Sequence, residues 1–164
     1  MKRARLTALG LAAAVGLCGC SSAGGGDHDS KESGVAPDPT CGARAEAVSA
    51  GLQKVSAGGY VFELTALEPA LPVQSAAPPG NTWTESVTDP AGAPVTGGTL
   101  FVTSYMPDHT HSGPPAVGVE QGGGVYVVDG LVLPMPAFYA ITSTLTLESG
   151  AKESVAVSLC LSTS

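Results

Sequence analysis

From residue 48 onward, short alternating runs are cut by glycine and proline, and no stretch sustains a helical period. Alternation of apolar and polar residues puts every second side chain on one face of an extended strand, the pattern of a half-buried sheet. Residues 48–56 and 60–67 ("YVFELTAL") make a first hairpin around Gly58-Gly59. After a Pro-rich loop, "EPALPVQSAAPPG", come "NTWTESVTD", the turn "PAGAPVTGG" and "TLFVTSYM" at 99–106. "AVGVEQ" and "VYVVDGLVL" flank Gly122-Gly123-Gly124, and "FYAITSTLTLE" and "ESVAVSLCLS" are joined through Ser149-Gly150. About seven or eight short strands at this spacing predict an all-β domain, a β-sandwich.

The first forty residues lack this pattern. Lys2, Arg3 and Arg5 precede an apolar run from Leu6 to Leu17. That run is shorter than the roughly 20 residues a bilayer span needs, so it reads as a secretory signal. Leu17-Cys18-Gly19-Cys20 resembles the lipobox of bacterial lipoproteins, with a small Gly19 before the acceptor cysteine. The resemblance implies a signal peptide over 1–19, acyl chains on Cys20, and a cell-envelope protein. Ser21 after the acceptor favours the outer membrane over the inner one. The alternative is an ordinary secreted protein cut near Gly19. Residues 20–40 are Ser, Gly, Asp and Pro with almost nothing apolar, which predicts a flexible linker carrying a solvated His28. The folded domain is then 41–164.

Loss of the three signal cations leaves four Lys and Arg against 14 Asp and Glu, a net charge of about −10. Such a surface repels phosphate backbones, so nucleic acid is not an expected partner. It also repels anionic headgroups, which leaves acyl chains as the membrane anchor; several hold stably where one does not. Cys41 and Cys160 remain, an even and widely separated pair that reads as a disulfide in an exported chain. Reactive thiols or a cysteine metal site are the alternatives, and neither has C-x-x-C spacing behind it. With Val155, Val157, Leu159 and Leu161 on the core face, Cys160 points outward, where Cys41 can staple over it.

Tyr105 to Pro115, "YMPDHTHSGPP", holds the densest cluster of ligand-type side chains. His109 and His111 are two apart, so on an extended segment their imidazoles share a side. Imidazole suits copper and zinc, and thioether suits cuprous copper. Met106 ends one strand and Met135 ends another after the next hairpin, each followed by proline. Loops at one end of a sandwich cluster, so Met106, His109, His111 and Met135 form a candidate metal set, copper ahead of zinc. Asp108 is a candidate hard ligand or the acceptor that orients a histidine.

Asn81-Thr82-Trp83-Thr84, "DPAGAPVTGG", the Met106-Pro107-Asp108-His109-x-His111 motif, "GGGVYVV" and Met135-Pro136 occur in an order that resembles the YtkA-like domain family. The likeness covers about Gly80 to Leu147 and implies an exported immunoglobulin-like sandwich. A resemblance to related copper-associated modules points the same way as the Met/His set. Thr110 and Ser112 stand where the family pattern usually has glycine, and Ala137 and Tyr139 where it usually has glycine and tryptophan.

Each motif also has a plainer reading. Met-Pro ends a strand because proline cannot continue the ladder, methionine fills space under loops, and Asp-His-Thr-His-Ser is an ordinary solvated turn. Trp83 reads as core rather than as a stacking platform. Gly122–Gly124 lacks the Lys-Ser/Thr end of a phosphate loop and reads as a hairpin turn. No G-x-S-x-G elbow marks a nucleophile, so no enzyme is expected. Two functions stand: a binding module that handles copper, or a structural or protein-interaction module with another envelope protein as partner.

Overall fold

The protein is described by a computed structural model that covers Cys41 and residues 44–162. The expected signal peptide, Cys20 and the linker lie outside the described residues. Nine antiparallel strands follow in order: β1 (Leu52–Val55), β2 (Val61–Glu68), β3 (Asn81–Thr88), β4 (Thr99–Met106), β5 (His111–Ser112), β6 (Ala116–Gly122), β7 (Val125–Leu131), β8 (Ala137–Thr146) and β9 (Lys152–Leu161). The all-β prediction holds, and the strands fall where the alternation put them. In β3 the inward residues are Asn81, Trp83, Glu85 and Val87; in β4 they are Leu100, Val102, Ser104 and Met106. Trp83 is 1% exposed and belongs to the core.

Hydrogen bonding runs without a break through β1-β2-β3-β7-β6-β4-β8-β9, with β5 added on β4. The sheet folds back on itself around one core, so it is nearly a barrel. Glu85 of β3 meets Ser143 of β8 across that core. Gly118 of β6 pairs with Val128 on one side and Leu100 on the other. A Cβ added there would lie 3.0 Å from Leu100 Cβ and 3.2 Å from Val128 Cγ2, so a side chain would need these neighbours to give by a few tenths of an ångström.

Two details differ from the strand pattern. The first strand starts at Leu52 rather than residue 48, because a turn intervenes: the Leu52 N–H donates to Ser49 O, and Gly51 sits at φ 90°. The second difference is β5, a two-residue strand inside the histidine motif.

Loops and ends are tied to this frame by specific bonds. Buried Asn81 accepts from the Val73 N–H (2.8 Å) and donates to Val73 O and Leu131 O, which pins the Pro-rich loop. Residues 44–48 lie beside β9, where the Glu46 N–H donates to Ser158 O and Glu46 Oε1 accepts from the Ser158 N–H. Cys41 and Cys160 are joined, with Cα atoms 5.3 Å apart, which bears out the staple geometry read from β9. Among the described residues, no helix is long and apolar enough to cross a membrane.

Candidate functional site

The histidine motif is a tight return between β4 and β5. Pro107 has no N–H to continue the ladder, and residues Pro107–His109 form one turn of 3₁₀ helix. Thr110 then reverses the chain at φ 56°, ψ 29°, its N–H donating to Pro107 O at 3.3 Å. His111 comes back opposite Met106, and Ser112 opposite Tyr105. The imidazoles of His109 and His111 are both exposed, with ring centroids 6.1 Å apart and planes at 51°. Metal–nitrogen bonds are about 2.0–2.1 Å. Adding the half-width of each ring, two imidazoles can share one ion at about this separation.

Left-handed backbone at a β-branched residue is strained. The motif resemblance leads to an expectation of glycine at this position, and the left-handed backbone of Thr110 suits that residue. Thr110→Gly is expected to raise stability by about 0.5–1 kcal/mol, the relief of strain outweighing the added freedom of the unfolded chain. Urea denaturation checks this; an unchanged or lower midpoint would mean that the turn holds threonine without strain.

Both Met-Pro pairs sit at the same end of the sheet. The β4–β8 register runs to Tyr105↔Ala140, so the end of β4 lies beside the start of β8, and Met135 precedes β8 by two residues. The two thioethers differ in setting. Met106 is 0% exposed and part of the core, whereas Met135 is 36% exposed. The Met135 backbone is clamped by Tyr139, whose hydroxyl accepts from the Met135 N–H (3.3 Å) and donates to Met135 O (2.6 Å). Burial raises the Tyr139 pKa, with the bond to Met135 opposing, so the phenol stays protonated and able to donate.

The Asp108 carboxylate is held by Arg44. The guanidinium forks onto its carboxylate at 3.0 Å (Nη2–Oδ2) and 3.5 Å (Nη1–Oδ1), and lies 4.3 Å over the Phe138 ring. Among the described residues, no three His, Cys, Asp or Glu side chains gather as a metal-ligand group.

Three residues have roles that the sequence reading did not assign. Tyr139 fixes the Met135 loop. Arg44 holds Asp108 from 64 positions away, a contact that no local pattern signals. Glu85 lies 4% exposed among apolar side chains, beside a cavity of about 20 Å³ that Trp83, Phe62 and Lys54 also line. Burial pushes its carboxyl up to about 7, against the opposing hydrogen bond from Ser143 (2.6 Å). Its signal was present: in "NTWTESVT" it shares the inward face with Trp83 and Val87.

Fold and turn together define a small all-β domain that presents a histidine-bearing hairpin at one end of a folded-over sheet. The YtkA-like family model matches residues 56–144, more than half of the chain. The chain belongs to the YtkA-like family. No curated protein and no solved structure matches it. The matched region starts at the first hairpin, earlier than the motifs alone suggested, and ends within β8. Cys41, Arg44, Cys160 and all of β9 fall outside it.

Proposed function

We propose that this protein is a non-catalytic binding module of the cell envelope, lipid-anchored through Cys20, that handles copper with Met106, His109, His111 and Met135. The observation that carries this reading is the pair of exposed imidazoles 6.1 Å apart, at the sheet end that also holds both Met-Pro dipeptides. Two imidazoles with thioethers form a soft donor set that favours cuprous copper over zinc. Met106 is buried, so bringing in its sulfur requires the turn to part from the core, and the two histidines with Met135 are the accessible part of the set. The acidic composition disfavours nucleic acid as a partner.

Titration of the purified protein with Cu(I) and Cu(II) against a competing chelator tests the proposal. Wild type is expected to bind one Cu(I), and His109→Ala/His111→Ala to bind at least about tenfold more weakly, about 1.4 kcal/mol. Equal binding by the two proteins would sink the idea.

A second reading is supported by the burial of Met106 and the commitment of Asp108 to Arg44. In it the motif is a structural turn, and the domain meets another envelope protein without a metal. The double histidine variant then keeps its melting temperature and its partner.

A further inference from the structure

Cys41 and residues 44–48 are held to the sheet at both ends of this arm. Cys41 is bonded to Cys160, Glu46 exchanges two hydrogen bonds with Ser158, and Val48 is packed into the core. Arg44 lies between the first two anchors. From there it reaches over Phe138, the residue opposite Cys160 in the β8–β9 register, and forks onto Asp108. Asp108 is the middle residue of the 3₁₀ turn and immediately precedes His109.

We propose that Arg44 is the positioning residue for the His109–His111 pair. The turn does not hold its shape by itself: it contains a left-handed Thr110 and buries none of its own residues. A guanidinium laid on an aromatic face and forked onto a carboxylate fixes the carboxylate in both distance and direction, which an ammonium cannot do. The disulfide and Glu46 keep the arm in place, so the two imidazoles are oriented through a chain of contacts from β9. The consequence for copper rests on the metal reading above; the hold on the turn does not.

An exposed ion pair contributes little to global stability, so positioning is separable from folding. Arg44→Ala is expected to leave the melting temperature nearly unchanged. In the metal-free protein, backbone order parameters over 108–111 are expected to fall from about 0.85 toward 0.6. Cu(I) affinity is expected to fall about tenfold, the effect of losing a partner that orients a ligand. Arg44→Lys, which keeps the charge but not the fork, should recover only part of either effect. Unchanged order parameters in Arg44→Ala would overturn the proposal whatever the metal does. Loss of order in a protein whose wild type binds no copper would leave Arg44 as the turn's support and strike the metal reading alone.

Discussion

Replacing Cys41 and Cys160 together by serine is expected to lower the unfolding free energy by about 4–5 kcal/mol. The two cysteines are 119 positions apart, so the bond closes nearly the whole folded chain into one loop. Most of its effect falls on the unfolded ensemble, which the cross-link denies its most extended forms. A second contribution is local, since Cys41 is buried and anchors the arm beside β9. The loss is a large share of the 5–15 kcal/mol that domains of this size have. Urea denaturation of the variant and the wild type measures it. The slope against urea should also rise, because an unlinked unfolded chain exposes more surface. A loss below about 1 kcal/mol with an unchanged slope would show that the unfolded chain is compact without the bond.

The second large effect is on pH dependence, through Glu85. Burial pushes its folded pKa up to about 7 from the ordinary 4.5. The folded protein therefore holds a proton there that the unfolded chain releases between these two values. Stability from this group is complete below about pH 4.5 and is lost as pH rises through 7. The difference amounts to about 3 kcal/mol by pH 8 or above, of the order of 10 °C in melting temperature. Glu85→Gln removes the titration while keeping an oxygen for the Ser143 hydroxyl. The variant is expected to melt at a pH-independent temperature over this window and to exceed wild type at pH 8. Parallel curves for the two proteins from pH 5 to pH 8 would refute the assignment. Glu46 acts in the opposite sense at the acid end. The Lys54 side chain, then the Ser158 N–H, hold its carboxyl below the ordinary value, so its contribution disappears as pH falls below 4.5.

What could be read in advance follows from the range of the forces involved. β3 and β4 were legible because alternation is local, and burial of Trp83, Val87, Leu100 and Val102 obeys it residue by residue. The Met/His turn was legible as a strand end because proline stops the ladder within one residue. The close packing at Gly118 was not, since a glycine in an alternating run reads only as a weak spot until both neighbouring strands are known. Nor was the Arg44–Asp108 contact, which depends on where a disulfide brings a distant arm. Thr110 lay between. The absence of the expected glycine was visible, but the left-handed backbone that makes glycine favourable there was visible only in the fold.

The unbroken path of hydrogen bonds has a consequence for life at high local concentration. Two separate sheets would offer four open edges to neighbouring molecules, whereas one sheet folded over offers β1 and β9 at the ends of its path, and beside them the two-residue β5. β1 is four residues long and carries Lys54, both features that discourage strand addition. β9 is ten residues long and would be the more adhesive edge, but Glu46 occupies both backbone groups of Ser158. Crowded molecules of this kind would meet a β9 edge whose ladder is interrupted at Ser158.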